Sequence, residues 1–313
     1  MFAYALRRLL LAIPVLGVVS VFVFSLLYLT PGDPALVMAG DQATPQDIER
    51  IRVSLGLDRP PLERFGGWIW RALHGDLGHS IFSGQPVTYM IGQRLEPTLS
   101  ILMAGVFIAV LVGVPVGIAA ANRRGGLIDR ALSVAVSTSY AIPVFVAGYA
   151  LAFVFASWLR WLPVEGFTPL EDGVGPYLRS LILPALTLSV LFAALIAAVT
   201  RASMLETLSQ DYIRTAAAKG ASRARILLRH ALKNAAVPIV TIVGGGIATL
   251  IGGAVVIENV FAIPGLGTLT VDAILHRDYP VIQGVVLLTS AGYVMINLLV
   301  DLSYALLDPR IRY

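Results

Sequence analysis

Six long apolar runs restrict the folds open to this chain more than any other feature. They lie at about 9–29, 98–121, 131–159, 181–200, 235–257 and 281–307. A run of roughly 20 apolar residues is long enough to cross the ~30 Å hydrocarbon core of a bilayer as a helix. The backbone is satisfied in lipid only by helices and closed barrels, and the runs lack the alternating polarity of barrel strands. We therefore predict an all-α integral membrane protein with about six transmembrane helices.

The amino-acid composition indicates the same class of protein. Of the 313 residues, 57% are hydrophobic and 13% are charged, whereas a soluble domain carries about 25% charged residues. The chain contains no cysteine, so it has no disulfide framework and no cysteine-ligated metal site. Its formal net charge of +4 could indicate nucleic-acid binding, but the distribution of the charges gives another explanation.

The first apolar run is preceded by Arg7 and Arg8, as in a cleavable signal peptide. The run is longer than the apolar region of such a signal, which covers about 7–15 residues. Where a signal peptide carries a small-residue cleavage site, this chain has Thr30-Pro31-Gly32-Asp33-Pro34. We therefore expect the first run to be retained as a transmembrane helix.

Basic residues fall mainly on one side of the six predicted spans. With the N-terminus inside, the inner segments hold 14 of the 23 Lys and Arg residues but only four of the 19 acids. Loops with such an excess of Lys and Arg stay in the cytoplasm. Both termini are therefore expected in the cytoplasm, and the positive charge reports sidedness rather than a nucleic-acid partner.

The region 30–97, between the first two runs, is expected to fold outside the membrane. Thr44-Pro45-Gln46-Asp47 is typical of a helix start, with Thr44 as N-cap and Pro45 at the first helical position. A second short helix is predicted over about 62–73. We therefore predict two parts: the first transmembrane helix with a small external domain, 1–97, and a core of five helices, 98–313.

Small residues recur at every fourth position in two of the runs, from 105 to 121 and from 244 to 252. Such faces let helices approach closely, because packing rather than hydrophobicity drives helix association in lipid. They fit packing within the chain, and they also fit a subunit interface or a moving gate. Gly244, Gly245 and Gly246 favour flexibility in the fifth run and are candidate gating residues, since glycine weakens helix interiors.

Ionisable residues are nearly absent from the runs. Proton-coupled carriers usually place carboxylates or histidines inside the membrane. Asp301 is the one acid inside a predicted run, and Asn297 lies one helical turn before it. Because Asp301 lies near the inner end of its run, it fits a pairing with cytoplasmic cations as well as a gating role together with Asn297.

The sequence lacks the motifs of common catalytic and nucleotide-binding sites. It contains no Gly-Lys pair, hence no Walker A loop, and no H-E-x-x-H or G-x-S-x-G motif. The four histidines are scattered, and Ser80 in Gly78-His79-Ser80 has no acid at a spacing that indicates a catalytic triad. We expect no catalytic residue, no cofactor and no metal site, so the energy for transport would come from another chain.

The segment 201–234 is basic and prone to form helices. Three alanines and Lys219 precede Gly220, which is suited to end a helix in the left-handed conformation. Ser222 can then cap a second helix. We predict two short helices joined at Gly220, a shape that can enter a groove in a partner. A membrane-surface helix is the alternative, but it would continue without the glycine break.

Several motifs occur in order along the whole chain. They are Pro31-Gly32-Asp33-Pro34, GDLGHS at 75–80, ENVF at 258–261 with PGLG at 264–267, RDYP at 277–280 and DPRIRY at 308–313. Together they resemble the permease subunits of binding-protein-dependent ABC importers in the dipeptide, oligopeptide and nickel group. The segment DYIRTAAAKG, 211–220, resembles that family's cytoplasmic EAA loop, with Arg214, Thr215 and Ala216 at the E-A-A positions.

The resemblance implies a type I ABC importer (MetI-like) permease fold and a specific assembly. Its parts would be a second homologous permease forming a heterodimer in the lipid of the bacterial inner membrane, two cytoplasmic ATP-binding subunits and an external substrate-binding protein. The cargo would be di- or oligopeptides, glutathione, nickel chelates or a related small solute. Coupling to the ATPase would lie at Tyr212, Arg214, Thr215, Ala216, Lys219, Gly220 and Ser222.

Two other classes of function stay open from the residues themselves. A membrane enzyme acting on lipid or peptide would need a cluster of catalytic groups at membrane depth, which the sequence does not show. An ion-coupled carrier would need charged groups within the membrane or related halves, and Asp301 is its one candidate.

Overall fold

The computed structural model describes residues 2–29, 35–36, 43–54 and 56–307. These residues form helices and loops, with one isolated β-bridge between His79 and Pro86 and no strand among them. The motifs at 31–34 and 308–313 lie outside the described residues.

Three of the helices that the structure bounds lie before residue 75. α1 covers Phe2–Leu29, α2 covers Pro45–Ser54 and α3 covers Pro61–Leu73. The predicted start of α2 is confirmed, since the Thr44 hydroxyl donates to Asp47 Oδ2 over 2.6 Å and accepts from the Asp47 amide. That hydroxyl bond holds the pKa of the Asp47 carboxyl below its usual range. The second short helix, predicted over about 62–73, is confirmed as α3.

Four helices follow, the third of them continued by a π-turn. They are α4 at Val87–Asn122, α5 at Leu127–Ala141, α6 at Val144–Leu151 with a π-turn at Ala152–Trp158, and α7 at Val174–Leu208. The expectation that α4 begins near 98 was wrong. The helix begins at Val87, where the Pro86 carbonyl accepts the Met90 amide, and it continues through Pro97. A proline inside a spanning helix is tolerated where its neighbours satisfy the freed backbone groups.

The last four helices include two short ones. They are α8 at Asp211–Ala218, α9 at Arg223–Val260, α10 at Leu266–Leu275 and α11 at Tyr279–Leu307. By length and composition, five of the described helices can cross a membrane, namely α1, α4, α7, α9 and α11. They correspond to five of the six predicted spans.

The remaining predicted span, 131–159, is not one straight helix. Its two parts, Leu127–Ser139 and Val144–Trp158, are bent by 107°. The cause is local: Ile142 is extended, with φ −98° and ψ 119°, and precedes Pro143. A proline disfavours the helical conformation of the residue before it and supplies no amide proton of its own. The described residues therefore contain five spans, or six if the bent pair crosses the membrane as one.

Glycines of α4 allow it to pack closely against α7. A Cβ atom at Gly113 would lie 2.7 Å from the Ala193 carbonyl oxygen, and one at Gly117 would lie 2.6 Å from the Ala197 carbonyl oxygen. The small-residue ladder of the second run is therefore used for packing within the chain. The core around it includes Ile101, Leu188, Phe192, Ile196 and Ile257.

The glycine triplet in α9 has a similar use. The helix continues through Gly244, Gly245 and Gly246 without a break. A Cβ atom at Gly246 would lie 2.0 Å from the Phe192 ring, and one at Gly244 would lie 2.1 Å from the Val300 side chain, whereas Gly245 has open space beside it. Two of the three glycines are thus needed for close helix packing. The flexibility expected of the triplet stays a prediction.

The chain divides into two compact units. One consists chiefly of Glu96–Thr268, and the other of Leu6–Leu95 with Leu269–Met295. The first contains the glycine contacts described above. In the second, the Phe65 and Trp68 rings of α3 lie 5.3 Å and 6.0 Å from the Phe24 ring of α1.

Two alanine substitutions in α9 test the packing role of the triplet. Gly246→Ala should lower the free energy of unfolding by about 1–3 kcal/mol, because the new methyl group would overlap the Phe192 ring. Gly245→Ala, which meets no neighbour, should leave the stability unchanged or raise it by about 0.5–1 kcal/mol. Thermal unfolding of both variants in detergent measures the difference. Equal stability of the two variants would contradict the packing.

Candidate functional site

The segment 201–234 turns sharply at Gly220, which has a positive φ of 81°. The Gly220 amide donates to the Ala217 carbonyl over 2.9 Å, and the Ala221 amide donates to the Ala216 carbonyl over 3.1 Å. This is the hydrogen-bond pattern of a Schellman motif, in which the residue after the helix is left-handed. The prediction that Gly220 ends the helix in this conformation is confirmed.

Ile213 fastens α8 to the ends of the membrane helices. It is the buried residue of α8 and packs with Ala121 of α4, Met204 of α7, and Ile226 and Leu227 of α9. Protein interiors are close-packed and transmit strain. α8 is therefore packed into one buried cluster with the ends of α4, α7 and α9.

Tyr212 braces α8 against α9 through hydrogen bonds. Its hydroxyl accepts from Asn234 Nδ2 over 2.8 Å and donates to the His230 carbonyl over 3.4 Å. Asn234 Nδ2 also donates to that carbonyl over 2.9 Å. The side of Tyr212 away from these bonds stays open, since the residue is 42% exposed.

The other residues predicted for coupling lie on or beside the corner. Arg214 and Thr215 are exposed and bond back to Asp211, the guanidinium to its carboxylate over 3.2 Å and the hydroxyl to its carbonyl over 3.1 Å. Exposed residues also include Lys219, Gly220 and Ser222, whereas Ala216 is half-buried. The structure therefore brings all seven predicted residues to one short helix and its turn.

The helix after the corner is not short, and that part of the prediction was wrong. Ser222 caps it as expected, accepting from the Arg225 amide over 3.4 Å. The helix then passes through a π-turn at Ile226–Ala231 and continues as Leu232–Val260. It continues because the sequence has no glycine or proline between Ser222 and Pro238 that would end it. The corner is thus joined directly to a membrane span.

Arg201, the first cation of the segment, is not part of the exposed basic surface. Its Nη2 donates to Asp129 Oδ2 over 3.0 Å and its Nε donates to Oδ1. Asp129 is buried at the start of α5 and also accepts from the Gly125 amide over 2.8 Å. This bidentate pair ties α5 to α7. No local sequence pattern indicates this pair, because 72 residues separate the partners.

At the other end of α9, the buried carboxylate of Glu258 caps α10. Oε1 of Glu258 accepts from the Thr98 hydroxyl over 2.5 Å, and Oε2 accepts from the Thr268 amide over 3.0 Å. The Thr98 hydroxyl accepts in turn from the Leu266 amide over 2.8 Å. The first amides of a helix have no partners within it and favour a negative charge. Here the Thr98 hydroxyl of α4 and the Glu258 carboxylate of α9 accept from these amides, and the carboxylate supplies the negative charge.

Two glycines make this contact possible. A Cβ atom at Gly265 would lie 2.2 Å from the Glu258 carboxylate, and one at Gly267 would lie 2.5 Å from the Val255 Cα. The ENVF and PGLG motifs, to which the sequence alone assigns no role, therefore meet at this carboxylate. The sequence signal that points to this contact is an acid at the end of an apolar run followed closely by a glycine-rich turn.

Ser80 has an acid partner, Asp278, that no spacing in the sequence indicated. Its hydroxyl donates to Asp278 Oδ2, and the Ile81 amide donates to Asp278 Oδ1 over 3.2 Å. Both side chains are buried, and 198 residues separate them. Because the hydroxyl donates to a carboxylate and not to a histidine, this is a structural tie between the GDLGHS and RDYP motifs rather than a nucleophile.

The candidate gating residues are brought partly together. Gly244 packs against Val300, the neighbour of Asp301 in α11, and Asn297 lies one turn away on the same helix. Asn297 and Asp301 are both half-buried, and Gly246 contacts α7 instead. In the described part of the chain, no three His, Asp or Glu side chains gather as they would around a metal ion.

Comparison with known sequences and structures decides the family. The sequence profile of the "Binding-protein-dependent transport system inner membrane component" family matches residues 113–313, well over half of the chain. The chain belongs to this family. A profile of the family's N-terminal region matches residues 1–102. The protein is therefore a multi-pass permease component of a binding-protein-dependent ABC transport system, a translocation component rather than an enzyme.

Named relatives are similar over their full length. A "Probable peptide ABC transporter permease protein" of Sinorhizobium fredii is 53% identical, covering 99% of both chains. The "Glutathione transport system permease protein" of Escherichia coli is 45% identical, covering 100% of both. A solved structure of the inward-facing MetNI methionine ABC transporter has a TM-score of 0.58 at 20% identity, covering 70% of this chain and 97% of that one. The predicted type I importer fold is confirmed.

The Glu258 contact can be tested by a substitution that keeps the size of the side chain. Glu258→Gln should lower the free energy of unfolding by about 1–3 kcal/mol, because an amide nitrogen would face a hydrogen-bond donor at one of the two sites. Glu206→Gln, on the exposed end of α7, is the matched control and should change little. Thermal unfolding in detergent measures both. Equal stability of the two variants would show that the buried carboxylate is not needed.

Proposed function

We propose that this chain forms half of the translocation pathway of an ATP-driven importer, and that α8 with the Gly220 corner receives the driving movement from a separate ATPase. The corner itself carries the proposal. One face of α8 is anchored through Ile213 among the ends of three membrane helices, and the other face is exposed. A short helix held in this way converts the movement of a partner into a rigid-body movement of the bundle.

The proposed topology follows from the charges. The corner and its basic neighbours lie in the cytoplasm, as do both termini, and the region 30–97 lies outside. The family description names the inner membrane, which agrees with this orientation. Residues 1–97 would then act as one part, a spanning helix with an external domain, and 98–313 as the five-helix core.

The proposed assembly contains a second homologous permease, two ATP-binding subunits and an external substrate-binding protein. The family description, which names a binding protein, and the ABC transporter likeness support these partners. Exposed apolar side chains along α4, namely Met103, Phe107 and Leu111, form a surface that can contact lipid and the second permease. Gly244, Gly245, Gly246, Asn297 and Asp301 are retained as proposed gating residues.

The proposed cargo is a small peptide or a peptide-like solute such as glutathione. This choice rests on the names of relatives that match the whole chain, one a peptide permease and one a glutathione permease. Uptake of labelled dipeptides, oligopeptides and glutathione by cells that produce the chain with its partner subunits would separate these substrates. Uptake of none of them would overturn the proposed cargo.

The proposed role of the Gly220 corner can be tested by a substitution that disfavours its positive φ angle and meets no neighbouring atom. Gly220→Val should abolish or strongly reduce uptake while ATP hydrolysis by the assembled transporter continues. Valine disfavours a φ of 81° by about 1–2 kcal/mol, so the turn must change shape, although no neighbour is within reach of the new Cβ atom. Uptake and hydrolysis are measured together in liposomes.

The matched control for this test is Gly220→Asn. Asparagine adopts the left-handed conformation more readily than other residues with a side chain, so this variant should keep most of the coupling. If Gly220→Val transports as well as the unchanged chain, the corner does not transmit movement.

The missing phosphate-binding loop gives a further test. The purified chain should show no measurable binding of a fluorescent ATP analogue, since the sequence has no Walker A motif. Micromolar affinity for ATP would contradict a separate ATPase. Uptake driven by a proton or sodium gradient, in liposomes that hold no ATPase, would favour the ion-coupled carrier instead.

A further inference from the structure

Helix α3 has three different faces, as follows from about 100° of rotation per residue. The face toward α1 carries Phe65, Trp68 and Ala72. The polar face carries Glu63, Gly67 and Arg71. Between them lies a third face, the apolar stripe, which consists of Leu62, Gly66, Trp70 and Leu73. Going round the helix, the order is therefore protein contact, apolar stripe, polar face.

The protein-contact face fixes the level of α3 along α1. The Phe65 and Trp68 rings pack on Phe24, and the Arg64 guanidinium lies 5.7 Å from the centre of the Phe24 ring. The apolar span of α1 is Leu10–Leu27, and the helix ends at Leu29. At 1.5 Å of rise per residue, Phe24 is only about 8 Å from that end. α3 therefore packs near the end of the apolar span of α1, and a spanning helix leaves the hydrocarbon core at such an end.

The side chains of the apolar stripe are exposed. Leu62 is 85% exposed, Leu73 is 76% exposed and Trp70 is 65% exposed. Trp70 stacks on His74, with ring centres 4.3 Å apart. Tryptophan is enriched at the membrane–water interface, where its ring is amphipathic. Contiguous exposed apolar side chains mark an interaction surface rather than a surface in contact with water.

We propose that α3 is an interfacial helix that inserts Leu62, Trp70 and Leu73 into the outer leaflet and so holds the external domain on the membrane surface. The partner is phospholipid at the boundary between headgroups and acyl chains. A helix in the bilayer plane beside a spanning helix meets protein, lipid and water in turn, which is the order of the three faces. The inference rests on the proposed topology, in which α1 spans the membrane and the region 30–97 lies outside, and it does not depend on the cargo or on the ATPase.

Single cysteines can test this, because the natural chain has none. Leu62→Cys and Leu73→Cys place a nitroxide label on the stripe, and Glu63→Cys places it on the polar face as the matched control. The full-length chain, with the subunits that copurify with it, is reconstituted into phosphatidylethanolamine and phosphatidylglycerol liposomes. Collision rates of each label with oxygen, which concentrates in lipid, and with a water-soluble nickel chelate are then measured.

We expect the ratio of oxygen to nickel collisions to be several-fold higher at positions 62 and 73 than at position 63. A ratio equal to that at position 63 would place the stripe in water and overturn the proposal. Low collision rates with both reagents at 62 and 73 would show a protein partner on the stripe, a second permease or a binding protein, and would also overturn it.

A second measurement leaves the stripe leucines unchanged. Lipids brominated near the top of the acyl chains quench tryptophan fluorescence on contact. Trp70→Phe should remove part of the quenchable emission. If the quenchable emission is the same with and without Trp70, this ring does not enter the lipid and the proposal is wrong.

Discussion

An unpaired backbone N–H or C=O group is very costly in hydrocarbon, and the rest of this structure depends on that constraint. It makes each apolar run a helix, because a helix satisfies its own backbone. The lipid also removes the hydrophobic effect as a reason for helices to associate, since lipid tails are as apolar as leucine side chains. Close contact must hold the bundle instead. The glycines at 113 and 117 supply it by letting α4 approach the backbone carbonyls of α7.

Two buried carboxylates of the bundle are paired with side chains, and each pair joins separate helices. Asp129 and Arg201 tie α5 to α7, and Glu258 joins the end of α9 to Thr98 of α4 and to the start of α10. Such pairs are costly to break in a low-dielectric interior, because one partner is then left unsatisfied. They stiffen the bundle at the start of α5 and at the C-terminal end of α9. A stiff bundle is what a corner helix needs if its displacement is to move spanning helices as bodies.

Local rules were sufficient for much of the fold. The apolar runs predicted the spans, Thr44 and Pro45 predicted the start of α2, and the glycine at 220 predicted the corner, because each of these depends on a few neighbouring residues. The start of α4 at Val87 and the break at Ile142 were not predicted, although a proline bears on each. Pro97 lies inside α4, and Pro143 follows Ile142. A proline can lie inside a helix or end it, and the surroundings decide which.

The polar contacts of the site could not be derived from the sequence. Thr98 and Glu258 are 160 residues apart, and Ser80 and Asp278 are 198 apart. No spacing rule connects such residues, because the connection is made by helix packing. The ENVF, PGLG and RDYP motifs showed where polar residues were concentrated, but their partners became known only when the helices were in place.

The central claim is that the exposed face of α8 receives a separate ATPase. A photoreactive amino acid at Ala217, an exposed position of that helix, tests it in intact cells. The account predicts a crosslink to another chain that binds ATP, with a yield that changes with nucleotide, and no such crosslink from exposed Ile274 of α10. A crosslink from Ala217 to lipid alone, or equal crosslinking from both positions, would contradict it.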